Sequence, residues 1–270
     1  MNKKYRNILK IYLPIVFIII LALYSYAIEP RRLEVNHILI NDSDLKGIKI
    51  VFASDFHIKP YQKKKLDKIV RMINNESPDL VLSSGDFVAG HLHRSALPVN
   101  DIASGLSDVK AKYGFYTTLG NHDGWYGKDI VKKALTENNI NVLENENVTV
   151  KIDNKIIYIA GVEDLITGNP DINKALQNTK KPVILLTHTP DVFPSVPNYV
   201  NLTLAGHTHG GQVRIPFVGA IFTASDYGER YVKGLIEEDG KKMFVTKGIG
   251  VSILPFRFNC VPEINVIEFE

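Results

Sequence analysis

Short apolar runs alternate with longer stretches that are apolar on one face only, and the two periods separate along most of the chain. Ile48–Ala53 and Asp79–Ser83 read as buried strands, and Tyr113–Leu119, rich in aromatic and β-branched residues, as a third. Between them, Lys63–Asn75 places Leu66, Ile69, Val70 and Ile73 three or four apart, which predicts a helix with one buried face. Leu97–Val109 and Asp129–Asn138 predict two more helices, the latter capped by Asp129. The pattern then changes to a hairpin, Val148–Ile152 and Lys155–Ala160 around Asp153-Asn154, followed by strands at Pro182–Leu186, Asn201–Ala205, Arg230–Glu237, Lys242–Lys247 and Glu263–Phe269. An early βαβα alternation followed by hairpins predicts an α/β fold of mixed sheets with helices outside.

One stretch belongs to neither period. Ile11–Ile28 is 18 residues without a charge and apolar on every face, just long enough as an upright helix to cross a hydrocarbon core of ~30 Å. Lys3, Lys4, Arg6 and Lys10 precede it and Glu29 follows, which places the N-terminus in the cytoplasm and the domain outside; Arg31 and Arg32 pull the other way. The preferred reading is a retained single-pass anchor in the cell membrane with the domain on the extracytoplasmic side. A cleaved signal, with Ser25-Tyr26-Ala27 near the cut, is the alternative. The expected organisation is residues 1–30 as anchor or signal, 31–47 as linker and first strand region, with the linker proper at Glu29–Asn41, and 48–270 as one catalytic domain.

Composition narrows the chemistry. Lys plus Arg total 32 against 29 Asp plus Glu, a balance that does not point to nucleic acid. The one cysteine, Cys260, forbids an internal disulfide and reads as a small buried side chain. A metal site must therefore be built from His, Asp, Glu and Asn.

Five strands end directly in such residues: Asp55-Phe56-His57, Gly85-Asp86, Gly120-Asn121-His122-Asp123, Thr187-His188 and Gly206-His207-Thr208-His209. Ligands in α/β sheets gather beyond the carboxyl ends of strands, so these ends are expected to converge. Glycines before Asp86, Asn121 and His207 allow sharp turns and close backbone approach. Asp55 and His57, like His207 and His209, are two apart, and in extended chain would face one way. With Asp86, Asn121 and His188 the set numbers seven oxygen and nitrogen donors, too many for one tetrahedral zinc and suited to two ions sharing a carboxylate. Mixed imidazole and carboxylate donors suit Mn, Fe or Zn.

The order D-x-H, G-D, G-N-H-D, H, G-H-x-H resembles the calcineurin-like metallophosphoesterase superfamily. The runs Gly206–Pro216 and Gly248–Arg257 resemble its membrane-associated bacterial branch, which includes phosphodiesterases and UDP-2,3-diacylglucosamine hydrolase-type enzymes. The resemblance implies two mixed β-sheets packed as a sandwich flanked by helices. It implies Asp55, His57 and His209 on one divalent ion, Asn121, His188 and His207 on the other, and Asp86 bridging. It further implies His122 as the acid that protonates the leaving group. Asp123, next to it, is a candidate to hold that ring or its tautomer, with a turn or cap residue as the alternative. Two cations would lower the pKa of a shared water, and the resulting hydroxide would attack phosphorus.

Around this set, Arg214 and Arg257 are candidate phosphate binders. His91 and His93 read as a solvated loop, with substrate contact or a third metal as the sharper reading. Trp125, Tyr126, Phe217, Phe222 and Phe256 read as core packing, with an acyl or base pocket as the alternative. Lys63-Lys64-Lys65 reads as a solvated helix start, with contact to anionic lipid headgroups as the alternative. The expected function is hydrolysis of a phosphodiester or pyrophosphate on a lipid-linked or envelope substrate, UDP-2,3-diacylglucosamine among the candidates. A phosphodiesterase of soluble nucleotides or a phosphoprotein phosphatase is the runner-up. A non-catalytic scaffold is disfavoured because every donor and His122 are present.

Overall fold

In a computed structural model of the chain, residues 3–90 and 96–270 are described; His91 and His93 lie outside them. Among the described residues fourteen strands are formed: β1 (Glu34–Ile40), β2 (Lys49–Phe52), β3 (Leu80–Ser83), β4 (Phe115–Thr117), β5 (Ile140–Val142), β6 (Glu146–Ile152), β7 (Lys155–Gly161), β8 (Val183–Thr187), β9 (Leu202–Ala205), β10 (Arg214–Ile215), β11 (Gly219–Ala220), β12 (Gly234–Glu238), β13 (Lys241–Val245) and β14 (Glu263–Phe269). They build one six-stranded sheet in the order β1-β14-β2-β3-β4-β5, another in the order β12-β13-β9-β8-β7-β6, and the small β10–β11 ribbon.

The period-2 alternation within strands explains why the sheets stack. On β2, Ile50 and Phe52 join Leu80, Leu82, Ile184, Leu186 and Leu204 in a core between the sheets, while Val51 faces a second core. That second core is closed by α2 (Lys63–Asn75), α3 (Val99–Leu106) and α4 (Asn121–Glu137). On the far sheet, Val183 and Leu185 face outward into a third core with Phe193 and Tyr231. Three apolar layers therefore separate helix, sheet, sheet and outer loops, the sandwich expected. Leu66, Ile69, Val70 and Ile73 are the buried face of α2, each worth about 1.5–3 kcal/mol of burial.

Several expected elements differ. The linker reading of Glu29–Asn41 is corrected: β1 lies within it and pairs in parallel with β14, Glu34 opposite Glu263 through Ile40 opposite Phe269. Its side chains are mostly exposed, as an edge strand allows, so no clean apolar period marks it. The third helix begins at Asn121, not Asp129, and breaks at Gly127, whose φ of 133° no helix accommodates. The strand expected from Arg230 starts only at Gly234, because Gly228–Tyr231 forms a 3₁₀ turn.

At the N-terminus α1 (Lys3–Leu23) continues through helical turns to Arg31. Tyr12–Arg31 is a helix long and apolar enough to cross a membrane, with 11% of its most apolar 18-residue stretch buried. Its end is fastened to the domain. Arg257 N–H donates to the Ser25 carbonyl at 2.9 Å, Cys260 N–H donates to Glu29 Oε1 at 2.6 Å, and the Tyr26 and Phe256 rings lie 5.6 Å apart.

Candidate metal centre

β2, β3, β4, β8 and β9 run parallel within their sheets, and the five donor-bearing ends meet at one edge of the sandwich. Asp55, His57, Asp86, Asn121, His188 and His209 are buried and His207 is nearly so. His57 Nε2 and His209 Nε2 face each other at 3.0 Å, with Asp55 Oδ1 3.9 Å from the latter. Opposite them, Asn121 Oδ1 lies 2.8 Å from His188 Nε2 and 3.0 Å from His207 Nδ1. Asp86 Oδ2 stands between, 3.3 Å from His57 Nε2 and 3.4 Å from His188 Nε2.

The way these side chains converge differs from the expected extended spacing. Asp55, His57, Asp86, His207 and His209 all have left-handed backbones, with φ of 53°, 42°, 57°, 69° and 51°. The chain coils at each strand end, and residues two apart meet because of that curl. Such conformations are uncommon outside glycine and gather at functional sites. Neighbouring backbone fixes them: Asp55 N–H donates to Gly85 O and His57 N–H to Asp86 O. Two glycines are sterically required. A Cβ at Gly120 would stand 2.2 Å from Asp86 Oδ1, and one at Gly206 would stand 2.5 Å from Asp55 Oδ2.

The ring nitrogens are set for cations. His57 Nδ1–H donates to Val88 O at 3.2 Å and His188 Nδ1–H to Ser84 O at 2.8 Å, leaving bare Nε2 lone pairs pointing inward. His207 Nδ1 and His188 Nε2 approach to 3.2 Å, so lone pairs crowd together. Asp55 Oδ2 is buried without a hydrogen-bond partner, costly for a carboxylate oxygen unless a cation meets it. These residues fit two divalent ions. Without cations, burial pushes the Asp55 carboxyl up to about 7 and holds His57 and His207 down at about 3 and 4, as neutral ligands. Burial also opposes charge on His188, but adjacent Asp86 outweighs it and carries that ring up to about 10.

His122 sits on the first turn of α4, not on extended chain. Gly90 N–H, which can only donate, binds its Nδ1 at 3.1 Å, so the ring proton is on Nε2, 3.2 Å from Ser252 Oγ. Asp123 does not hold that ring. Its carboxylate accepts from the N–H groups of Asp86, Phe87, Val88 and Gly120 at 2.7–3.3 Å, which clamps the Asp86 turn to the start of α4.

The two arginines, candidate phosphate binders, are engaged by protein groups in this geometry. Arg257 is fully buried and donates to the carbonyls of Lys247, Gly248, Gly250 and Cys260. Its Nη2 also lies 3.3 Å from His209 Nδ1, so it braces the loop behind that ligand. Arg214 donates to Gly210 O and pairs with Glu229 at 2.9 Å. Of the aromatic set only Tyr126 is buried; Trp125 and Phe222 line a cavity of about 510 Å³ beside Asn121, His122, His207 and His209. Sequence reasoning missed Ser252 and Gln212, which exchange backbone and side-chain hydrogen bonds at 2.8 and 2.9 Å and seat Ser252 against His122. Each lies in one of the two glycine-led runs that carried the family resemblance.

Comparison with known proteins agrees with this geometry. The chain is 35% identical over 263 residues to an uncharacterized metallophosphoesterase, YkuE, of Bacillus subtilis, covering 92% of this chain and 90% of that one. It is 31% identical over 258 residues to phosphodiesterase YaeI of Escherichia coli, 91% of each chain. Among solved structures, a 5'-nucleotidase precursor from Thermus thermophilus shares the fold at 14% identity, with a TM-score of 0.50 over 75% of this chain and 49% of that one. The model of the calcineurin-like phosphoesterase family matches residues 48–211, a range that holds all seven donors from Asp55 to His209. The chain belongs to the calcineurin-like phosphoesterase family and is a metal-dependent hydrolase of phosphate esters.

Proposed function

We propose that this enzyme hydrolyses a phosphodiester or phosphoanhydride of a lipid-linked, envelope-associated substrate at a membrane surface, from an anchor retained at the N-terminus. One observation carries the reading: the cavity beside the metal residues is walled by Trp125, Ile166, Phe222, Ile253 and Leu254, and the last three are 67%, 87% and 57% exposed. Apolar side chains this exposed at the mouth of the site suit a substrate with a greasy part. Ile253 also sits at φ 49°, a conformation β-branched residues avoid unless the surroundings enforce it. The same loop leads to Phe256 and Arg257, which hold the end of the apolar helix, so the loop that walls the cavity also carries the contacts to that helix.

In this reading Asp55, His57 and His209 would hold one divalent ion and Asn121, His188 and His207 the other, with Asp86 serving both; Mn, Fe or Zn fit the donors. Bound there, the pair supplies positive charge to neutralise phosphoryl oxygens and Lewis acidity to lower the pKa of water. The protein's own groups do the rest. The apolar wall holds the lipid part and excludes bulk water. Gly90 and Ser252 hold the neutral His122 ring with Nε2–H toward the cavity. As an imidazolium, with a second proton on Nδ1 in place of the bond from Gly90, His122 would deliver the Nε2 proton to the leaving oxygen as water adds to phosphorus and the P–O bond breaks, and return to the neutral ring. The positive residues Lys3, Lys4, Arg6 and Lys10 before the anchor support an extracytoplasmic domain, against the pull of Arg31 and Arg32. The test is turnover by the Mn²⁺-loaded full chain on lipid-linked pyrophosphates and phosphodiesters, bis-p-nitrophenyl phosphate and phosphomonoesters. A kcat/KM about tenfold or more higher on the lipid-linked diester or anhydride, the equivalent of about 1.4 kcal/mol of cavity contact, is expected. Preference for a soluble nucleotide or a monoester would contradict it.

A further inference from the structure

Away from the metal centre, a second cavity of about 390 Å³ opens where the apolar helix meets the domain. Its walls carry Arg31 from the last turn of that helix and Lys59, Lys65 and Lys68 from the segment around the start of α2, with Tyr26 and Tyr61 beside them. It has no acidic residue in its lining, and none of the four cations forms an ion pair among the described residues. Arg31 donates to the Ala27 and Tyr26 carbonyls, and Lys65 Nζ to Ile249 O at 3.1 Å; those partners are neutral.

Like charges gathered in a hollow are unfavourable unless an anion joins them. Burial, then Arg257, Lys59 and Lys68, pulls the Lys65 ammonium down to about 7. α2 adds to the imbalance. It begins with Lys63-Lys64-Lys65 and no acidic residue in its first turn, although the partial positive charge of a helix start favours anions there. The cavity also has an apolar side, Leu33, Val251 and Pro255, so its occupant carries both an anion and a greasy part. Its position decides which: Tyr26, Pro30 and Arg31 belong to the end of the membrane-length helix Tyr12–Arg31, the depth at which phospholipid phosphates lie.

We infer that this cavity binds the phosphate headgroup of an anionic phospholipid, through Arg31, Lys59, Lys65 and Lys68, as a site separate from the metal centre. It shares Lys59 and Val251 with the hollow at His57 and His122, so a lipid seated here would stand beside the catalytic cavity and fix its height above the membrane. The inference rests on the anchor being retained, and an intact mass that includes the first 28 residues checks this independently.

The experiment is thermal unfolding of the full chain in a neutral detergent with added phosphatidylglycerol, phosphatidylcholine or inorganic phosphate. Phosphatidylglycerol is expected to raise Tm by about 5 °C near saturation, as binding to the native state alone does, with no shift from phosphatidylcholine. The shift should vanish in the double variant Arg31→Gln, Lys68→Gln and persist in Lys68→Arg, while turnover of bis-p-nitrophenyl phosphate stays within twofold of wild type in both. An equal shift with phosphatidylcholine, or a phosphatidylglycerol shift that survives the double variant, would overturn the site. A shift from inorganic phosphate as large as that from phosphatidylglycerol would overturn the lipid as its occupant.

Discussion

The strand ends that carry the seven donors and the loops that wall the cavity are held in different ways. At the strand ends, coiled backbones are pinned by main-chain hydrogen bonds between adjacent strands, by glycines with no room for a methyl group, and by the Asp123 carboxylate gripping four N–H groups. In the 251–258 loop, Ile253 and Leu254 face outward with little packing, and order comes from beneath, through Arg257 and Gln212. The first region must hold charges to fractions of an ångström before any substrate arrives. The second has only to offer apolar surface, so it tolerates looseness. Chemistry should therefore fail when the first is touched, and substrate preference when the second is.

The largest effect is expected at the shared carboxylate. Asp86→Ala should abolish turnover and reduce bound metal from two ions per chain to one or none, measured by elemental analysis; two retained ions would separate Asp86 from the bridge. Next, His122→Ala should keep both ions yet lose about 10²–10⁴-fold in kcat on a substrate with a poor leaving group. With p-nitrophenolate, which needs no proton, the loss should shrink, and an equal loss on both substrates would remove His122 as the acid. Asp123→Asn puts an amide N–H₂ near four donors and should weaken metal binding about 10–100-fold, as loss of a group orienting ligands does. Its leaving-group dependence should remain that of wild type, which distinguishes a clamp from a partner of His122.

A smaller effect is expected from the loop. The double variant Phe222→Ser, Ile253→Ser should raise KM for a lipid-linked substrate about tenfold, as loss of roughly 1–2 kcal/mol of apolar contact implies, and leave bis-p-nitrophenyl phosphate unaffected. Equal losses on both substrates would mean that the loop shapes the metal centre itself. The mildest test is proton linkage. Because the metal-free Asp55 carboxyl is pushed up to about 7, it is largely protonated at pH 6 and must ionise to bind a cation. Mn²⁺ binding at pH 6 should release protons and tighten as pH rises through 7, read by calorimetry in buffers of different ionisation heat. Heats independent of the buffer would contradict this.

How much of this could be read beforehand follows the same division. α2 at Lys63–Asn75 and β14 at Glu263–Phe269 have the bounds their apolar patterns predict, because packing buries one face of α2 and nearly all of β14. Within the expected 31–47 linker and first strand region the bounds of β1 were not marked, because an edge strand with exposed side chains needs no such pattern. The start of α4 was hidden because Asn-His-Asp-Gly resembles a loop, and only tertiary hydrogen bonds to Asp123 and from His122 N–H to Asp86 make it helical. The donors stood out because histidines and aspartates directly after apolar strands need a reason to be buried. Arg257 misled, since a guanidinium suits phosphate and backbone carbonyls equally well. Ile253 and Leu254 carried no signal, as apolar residues in a sequence look alike whether they face the core or the solvent.

The central claim is that these donors hold a pair of ions. Anomalous scattering from Mn²⁺-loaded crystals of the full chain tests it most directly. Two peaks are predicted, one among Asp55, His57 and His209 and one among Asn121, His188 and His207, with Asp86 between them. A single peak, or peaks away from these side chains, would contradict it.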